Sequence, residues 1–280
     1  TPAQIVAVYE NTTKEKFTIG IVDDVTNLSL ETGAPIVTTP GGTTNCKFWG
    51  LGADGTVGAN KNSIKIIGDN TDMYAQAYFD YDSKKSGGVT MSHLRFGKKP
   101  IKSTYLIHKA NFVACHNPSY VNKYNMVQEL VDGGTFLLNC AWDMEGLEKH
   151  LPGQVKAFIA NHNIKFYTID GVKIGIETGM GPTRINTILQ SAFFKLTGII
   201  PEDQAIDLMK AAAKATYGRK GDDVVQKNWA AIDAGAKQVV EIQVPESWKN
   251  AEDEGLHMTH ATEGRQDVVD FVNNIQAKVN

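Results

Sequence analysis

Residues 46–67 read CKFWGLGADGTVGANKNSIKII, and this stretch decides the fold class. Cys46 to Gly50 are mostly apolar or aromatic, so they predict a buried strand. The glycines at positions 50, 52 and 55 have the GxGxxG spacing, and Asn60 to Ile67 then have the pattern of a helix. A strand, a glycine-rich turn and a helix in this order are the first part of a βαβ unit.

Strand and helix patterns alternate along most of the remaining chain. We predict further strands at residues 17–23, 74–79, 103–107, 112–115, 135–140 and 165–168. We predict helices at residues 120–131, 145–150 and 155–161, and three more after residue 180, at 184–196, from 201 onward and at 224–240. Parallel strands joined through helices are covered on both faces. The sequence therefore predicts an α/β fold, a Rossmann-like, mainly parallel sheet with helices on both faces and extra C-terminal helices.

The glycine-rich turn is a candidate anion site. Because glycine has no side chain, the backbone of residues 55–58 can approach a phosphate, and the helix that follows offers free N–H groups. A tight turn between a strand and a helix also uses glycine without any ligand, so the motif leaves both interpretations open. A second glycine turn, from Gly179 to Arg184, precedes a helix and is open to the same two interpretations.

The overall charge excludes several classes of protein. The 280 residues include 28 Lys plus Arg and 31 Asp plus Glu, a net charge of −3, which does not fit a histone-like nucleic-acid binder. A hydrophobic content of 42% excludes a disordered acidic chain, and only three cysteines exclude a disulfide scaffold. The balance is uneven, because residues 241–280 contain eight acids and three bases.

A basic stretch lies inside this balanced chain. Residues 83–128 contain no Asp or Glu but eight Lys or Arg. Such a stretch indicates an anionic ligand, or else a solvated surface whose charges pair with acids from elsewhere in the fold.

A nicotinamide nucleotide as the ligand would require an acid about 20 residues after the glycine turn. Asp80 and Asp82 follow Gly55 by 25 and 27 residues, a loose match, and the basic stretch after them favours a multiply phosphorylated ligand.

No targeting, membrane or metal-binding motif is visible in the sequence. No apolar run approaches the ~20 residues that cross a bilayer, and the few cysteines fit a reducing compartment, so we expect a cytoplasmic protein without membrane contact. The chain begins Thr1-Pro2 without an initiator methionine, so we expect a processed chain or a piece of a longer one. His257 and His260 lack further ligands nearby and there is no CxxC pair, so we expect no metal site.

Several segments resemble one family. They are residues 47–65, 92–97, 115–121, 133–139, 184–187 and 192–196. Together they resemble the gamma domain of the 2-oxoacid:acceptor oxidoreductases and, more narrowly, of the pyruvate:ferredoxin (flavodoxin) oxidoreductases. Residues 17–26 resemble the end of the preceding domain in those enzymes, and residues 245–248 resemble the connection to their ferredoxin-like domain.

The resemblance implies a section of a large cytoplasmic homodimer of anaerobic metabolism. Such an enzyme converts pyruvate and coenzyme A to acetyl-CoA and CO₂ and passes electrons to ferredoxin or flavodoxin. It uses thiamine diphosphate with Mg and 4Fe-4S clusters, which we do not expect this chain to bind. We therefore expect the isolated chain to be inactive, with no catalytic residue of its own. The electron acceptor and the choice of 2-oxoacid stay open.

The resemblance also implies a role for this section in binding coenzyme A. It divides the chain into the end of a preceding domain (1–40), a gamma domain (41–240) and an acidic linker (241–280). The cofactor-binding residues that we predict are Gly55, Thr56, Val57, Gly58, Asn60, Lys61, Arg95 and Lys98. The first four would supply backbone donors, and the three basic residues would pair with phosphates. The alternative is a non-catalytic scaffold domain that packs the thiamine and iron–sulfur domains together.

Overall fold

Seven strands form one sheet in the computed structural model, which describes residues 1–22, 25–34, 36, 38–52, 54–82, 87–252 and 264–271. The strands are β1 (Thr44–Leu51), β2 (Tyr74–Tyr81), β3 (Val89–Gly97), β4 (Ala110–Cys115), β5 (Leu130–Asn139), β6 (Lys165–Ile169) and β7 (Val240–Glu241). The α-helices of these residues are α1 (Pro2–Glu10), α2 (Thr56–Asn70), α3 (Met144–His150), α4 (Gly153–Asn161), α5 (Gly171–Glu177), α6 (Asn186–Thr197), α7 (Glu202–Tyr217), α8 (Asp222–Lys237) and α9 (Gln266–Phe271).

The sheet has a parallel centre and antiparallel edges. Its strand order is β2-β3-β1-β4-β5-β6-β7. β1, β4, β5 and β6 are parallel neighbours, whereas β2, β3 and β7 are added antiparallel at the two sides. The parallel strands are connected through helices or long loops, as a parallel pair requires. The predicted α/β fold, with a mainly parallel sheet and extra C-terminal helices, is confirmed.

One face of the sheet is covered by α2 and by the C-terminal helices. Phe193 of α6 lies at the centre of this face, with its ring centroid 5.1 Å from that of Phe48 in β1 and 5.3 Å from that of Phe112 in β4. Ile66 and Ile67 of α2 join the same buried cluster. Edge-to-face contacts of this kind add to the burial of the apolar rings, so α6 is fixed against the strands that carry the glycine turn.

The other face is covered by α3, α4 and the segment after β7. Leu147 of α3 and Val155 of α4 pack with Val113 of β4 in a second cluster. Trp248, which follows β7, is 1% exposed in this cluster, and its indole N–H donates to the Glu148 carboxylate at 2.5 Å. The first part of the predicted acidic linker therefore packs against the sheet domain. Most of the remaining linker, with His257 and His260, lies outside the described residues.

Three predicted elements are wrong. Residues 17–22 form no strand in the described part of the chain, only an isolated bridge from Thr18 to Ser29. Residues 103–107 form a loop, because side chains of β2 and β3 supply the partners of its backbone groups in place of a neighbouring strand. Residues 120–131 form short 3₁₀ turns and the start of β5, whose first residue Leu130 pairs with Ala110.

Several elements that we did not predict are also present, among them β3 and α5. β3 carries His93 and Arg95 on a buried face, so it lacks the apolar alternation by which strands are recognised. α5 has only seven residues, which is too short for a clear helical period.

Candidate functional site

The chain leaves β1 and β4 toward opposite faces of the sheet. After β1 it enters α2 on the Phe193 face, and after β4 it enters turns that bury Tyr120 and Met126 on the other face. Since β1 and β4 are adjacent parallel strands, their carboxyl ends form the topological switch point of the sheet. In open α/β sheets, ligands bind in the crevice at this point. The glycine turn lies on one side of that crevice.

The glycine turn is held by one carboxylate. Asp54 accepts hydrogen bonds from the backbone N–H of Leu51 at 2.9 Å and of Thr56 at 2.7 Å. Gly55 is the residue before α2 and has φ of 89°, a left-handed conformation that favours glycine. A Cβ atom on Gly50 would lie 2.5–2.9 Å from the side chain of Thr56, so glycine is required there by space. Asp54 and Thr56 are therefore held at the end of β1 by hydrogen bonds and by close packing.

The predicted backbone donors are not equivalent. The N–H of Thr56 is already bonded to Asp54. The first intrahelical bond of α2 runs from the N–H of Ala59 to the carbonyl of Gly55 at 3.0 Å. Val57 and Gly58, in the first turn, therefore carry N–H groups that no helical carbonyl can reach. These two residues are the better candidates for donors to an anion, and the helix dipole favours negative charge at this end.

Thr56 connects the turn to the end of β4. Its hydroxyl lies 2.7 Å from Nδ1 of His116, which directly follows β4 and is 7% exposed. Burial lowers the pKa of His116 to about 4, and the nearby Asp54 charge opposes that shift. The imidazole is therefore neutral near pH 7. We did not predict a role for His116, although it directly follows a predicted strand and lies in segment 115–121, which resembles the family.

The helix that follows the second glycine turn contacts the first glycine turn and α2. Asn186, the first residue of α6, donates from its side-chain amide to the carbonyl of Gly55 at 3.3 Å. Gln190, one turn further, donates to the side chain of Asn62 in α2 at 2.9 Å. The N-termini of α2 and α6 are thus neighbours, and the exposed Arg184 lies two residues before Asn186. These contacts bring together segments that are about 130 residues apart in sequence.

Asn60 and Lys61 lie one turn into α2. Asn60 is 3% exposed on the helix face that carries Thr56, and its side-chain N–H₂ has no hydrogen-bond partner among the described residues. Lys61 is exposed, and its ammonium lies 5.4 Å from the centre of the Phe79 ring in β2. An exposed cation–π contact contributes only about 0.5–1 kcal/mol, so this side chain is free to reorient toward an anion.

Arg95 is separated from the glycine turn. It pairs in register with Asn45, six residues before Leu51 along β1, a distance of about 20 Å at ~3.3 Å per residue. Its side chain is on the sheet face opposite α2 and is 2% exposed. Lys98 lies just beyond the end of β3, in an exposed loop at the same far end of β1. The structure therefore does not bring Arg95 and Lys98 together with Lys61.

The guanidinium of Arg95 binds groups of its own chain. It donates to the side-chain carbonyl of Gln76 at 2.8 Å and to the backbone carbonyl of Tyr105 at 2.6 Å. It also lies 5.1 Å from the centre of the Tyr105 ring. Burial lowers the pKa of Arg95 from its ordinary value. These contacts anchor the loop of residues 103–107 on the sheet.

Part of the basic stretch is paired within the fold. The Lys109 ammonium donates to the carbonyl of Gln128 at 3.2 Å. Just outside the stretch, Lys47 and Glu129 form a buried ion pair of 2.5 Å. Burial raises the pKa of Glu129, and the Lys47 charge opposes that shift. Lys84 and Lys85 lie outside the described residues. The Lys109 contact is to a backbone carbonyl rather than to an acid, so the alternative interpretation, a solvated surface whose charges pair with acids from elsewhere in the fold, stays a prediction.

A cavity of about 600 Å³ opens beside the crevice, at the carboxyl ends of β5 and β6. Its wall includes Asn139, Cys140, Trp142, Asp170 and Ile176. Asn139 also faces the crevice, since its side-chain N–H₂ donates to the carbonyl of His116 at 2.9 Å. The cavity and the glycine turn are therefore at the same edge of the sheet.

The described residues contain no group of three or more His, Cys, Asp or Glu side chains that could hold a metal ion. The thiols of Cys46, Cys115 and Cys140 are buried, and burial raises the pKa of each. Within the same part of the chain, no helix combines the length and the apolar character that crossing a membrane requires.

A family model described as pyruvate ferredoxin/flavodoxin oxidoreductase matches residues 45–238. The chain belongs to this family. The pyruvate:ferredoxin oxidoreductase of Moorella thermoacetica is 56% identical to it over 257 residues, which are 90% of this chain and 22% of that protein. The chain thus spans about a fifth of the length of this oxidoreductase relative.

Two solved structures show the same fold. The pyruvate oxidoreductase subunit PORC of Thermotoga maritima has a TM-score of 0.58 and 17% identity, over 72% of this chain and 99% of that subunit. The 2-oxoglutarate:ferredoxin oxidoreductase of Magnetococcus marinus, solved with 2-oxoglutarate, coenzyme A and succinyl-CoA bound, has a TM-score of 0.54 and 13% identity. That match covers 78% of this chain and 35% of the Magnetococcus chain. The sheet and helices of this oxidoreductase section thus occur both as a separate subunit and within a larger chain.

Proposed function

We propose that this chain is the coenzyme-A-binding section of a larger oxidoreductase. The enzyme would oxidatively decarboxylate pyruvate with coenzyme A to acetyl-CoA and CO₂ and pass two electrons to ferredoxin or flavodoxin. The names of the family and of the Moorella relative support this activity, and the small share of that relative which the chain spans supports the remaining domains as partners. We propose a cytoplasmic homodimer for the whole enzyme, as the resemblance implies.

The contact between the start of α6 and the first glycine turn is the observation on which the proposal for coenzyme A depends. The ligand has a pyrophosphate and a ribose phosphate, and phosphates bind well at helix N-termini. In this fold, the N–H groups of Val57 and Gly58 lie at the start of α2, beside the start of α6. The Magnetococcus relative in fold is described with coenzyme A bound, which agrees with this role.

Two exposed basic residues are available at this surface. Arg184 precedes α6, and Lys61 can leave the Phe79 ring to reach a phosphate. Asp54 adds a negative charge nearby, but both of its oxygens already accept backbone N–H groups. We propose charge-assisted hydrogen bonds from Arg184 and Lys61 to the phosphates of coenzyme A. Our prediction of phosphate contacts for Arg95 and Lys98 stays untested, and their position favours a structural role.

The contribution of this chain to the reaction is to bind and orient. Thiamine diphosphate would supply the carbanion chemistry that activates pyruvate. We propose that the iron–sulfur clusters and Mg are held by the other sections of the enzyme, as the resemblance implies. By fixing the phosphates, α2 and α6 would direct the thiol of coenzyme A toward an acyl group held by another section, which lowers the entropy cost of their encounter.

Steady-state kinetics of the full-length enzyme test this function. We expect Lys61→Ala and Arg184→Ala each to raise the KM for coenzyme A about fivefold to thirtyfold with the KM for pyruvate unchanged. Lys220→Ala, an exposed lysine at the far end of α7, is the matched charge control. An unchanged KM for coenzyme A in both variants would contradict the binding role.

The scaffold role is the second candidate. It is favoured by Trp248, which ties the segment after β7 into the core of the domain and so fixes the direction in which the chain leaves it. We expect Trp248→Ala to impair assembly of the full-length enzyme, measured by gel filtration, with the KM for coenzyme A unchanged in the assembled fraction. A raised KM together with normal assembly would contradict a separate scaffold role.

A further inference from the structure

We propose that His116 is the positioning residue of the glycine turn, and that it acts through Thr56 on the donors that bind the phosphates of coenzyme A. This inference rests on the proposed function and assigns the site a residue outside the glycine motif. His116 itself does not contact coenzyme A in this proposal. It holds the turn from the neighbouring strand, across the crevice.

The backbone of His116 is fixed on both sides. Its N–H donates to the carbonyl of Trp49 in β1 at 2.8 Å. Its carbonyl accepts from the side-chain amide of Asn139, at the end of β5, at 2.9 Å. The Asn139 carbonyl oxygen in turn accepts from the N–H of Gly171, at the start of α5, at 2.9 Å. Three parallel strands and a helix therefore determine where the imidazole lies.

The imidazole has little freedom to move. It lies edge-on to Phe48, with the ring centroids 6.3 Å apart, and is almost completely buried. A buried neutral ring needs partners for its polar atoms, and the hydroxyl of Thr56 at 2.7 Å from Nδ1 is the partner that the structure shows. The hydroxyl can either donate to or accept from this nitrogen, according to the tautomer.

Thr56 transmits this position to α2. Its N–H is held by Asp54, and its side chain fills the space left by Gly50. Because Thr56 is the first residue of the helix, its orientation sets the direction of the N–H groups of the next two residues. A hydrogen bond from β4 to Thr56 therefore fixes where α2 presents its free donors, which is how preorganisation strengthens binding.

Paired variants of the full-length enzyme separate the hydrogen bond from simple packing. Thr56→Val removes the hydroxyl at nearly constant shape, whereas Thr56→Ser keeps it. His116→Leu removes Nδ1, whereas His116→Asn keeps a polar atom near its position. We expect Thr56→Val and His116→Leu each to raise the KM for coenzyme A about fivefold to thirtyfold, with kcat changed less than twofold. The Ser and Asn variants should restore a KM within about threefold of the starting enzyme.

The double variant Thr56→Val/His116→Leu tests whether the two residues act through each other. We expect its KM to match that of the worse single variant, because the shared contact is lost only once. Thermal unfolding of each variant is measured in parallel. A loss of thermal stability with an unchanged KM for coenzyme A would overturn the positioning role, and so would multiplied KM effects in the double variant.

The two proposals fail in different ways. If Lys61→Ala and Arg184→Ala raise the KM but the Thr56 and His116 variants do not, the inference about His116 fails alone. If none of these variants changes the KM, the proposed coenzyme A site is itself contradicted.

Amide hydrogen exchange of residues 56–59 gives a readout that does not require coenzyme A. Faster exchange in Thr56→Val than in Thr56→Ser is expected, and equal exchange would show that the hydroxyl does not hold the turn.

Discussion

The two ends of β1 use polar residues in opposite ways. At its carboxyl end, the glycine turn leaves backbone donors of α2 open and faces the start of α6. At its amino end, Arg95 and Lys47 are buried and bound to groups of the same domain. Basic residues alone therefore do not mark an anion site. A site requires donors that the fold leaves without partners, and the switch point of the sheet provides them here.

Two histidines of the described residues are buried in the sheet or at its edge. His116 lies at the carboxyl end, and His93 lies beside Arg95, where its Nδ1 accepts from the N–H of Ile107 at 3.2 Å. Burial, together with the nearby charges of Lys47 and Arg95, lowers the pKa of His93 to about 3. The pKa of His116 is lowered to about 4. Both imidazoles are therefore uncharged in the folded chain over most of the acidic range.

The largest expected effect is acid destabilisation through these histidines. Below the ordinary histidine pKa of about 6.5, both histidines bind protons in the unfolded chain but stay neutral in the folded chain. The free energy of unfolding therefore falls as the pH falls. Between pH 6 and pH 4 we expect a loss of up to about 1.4 kcal/mol per pH unit for each histidine. Urea unfolding across this range measures it. His116→Asn and His93→Asn should each remove about half of the slope, and an unchanged slope in either would show that histidine to be protonated or exposed.

The next effect contrasts Arg95 with Lys98. Arg95→Met leaves Gln76 and the Tyr105 carbonyl without their donor in a buried place, so we expect a loss of about 2–4 kcal/mol in unfolding free energy. Lys98→Met, at an exposed position, should change stability by less than about 0.5 kcal/mol. Urea denaturation measures both. A raised KM for coenzyme A in Arg95→Met or Lys98→Met, with stability retained, would show that these residues contribute to phosphate binding. It would contradict the contrast between the two ends of β1.

The smallest effect contrasts two glycines near α2. Gly50→Ala places a Cβ against the Thr56 side chain, so we expect a loss of about 1–3 kcal/mol in stability and weaker binding of coenzyme A. Gly68→Ala, near the end of α2 with open space around it, should stabilise the chain by about 0.5–1 kcal/mol through the better helix propensity of alanine. Thermal unfolding separates them. Equal behaviour of the two variants would mean that Thr56 can move away and that the turn is not rigid.

The secondary structure predicted from the sequence is correct where the residues within one segment determine its conformation. The glycine spacing from 50 to 58, with apolar residues before it, predicts β1 and a helix after the turn, because a strand-to-helix turn is short and limited by backbone sterics. The helix itself begins at Thr56, four residues before the predicted start at Asn60. The helices after residue 180 follow from apolar spacing in the same way. In contrast, the loop of residues 103–107 has a strand-like sequence, but its backbone groups form hydrogen bonds with side chains of β2 and β3 instead of with another strand. No local pattern contains that information.

The sequence by itself determined the family, the α/β class and the strand–turn–helix unit, because these depend on residues close together in the chain. Only the tertiary structure decided which basic residues stay available for a ligand. The strand order buries Arg95 on one face and brings Asn186, two residues after the exposed Arg184, against Gly55 on the other side of the molecule. It also places His116 against Thr56, a contact across 60 residues. Long-range burial and parallel pairing, rather than local conformational preference, build the site.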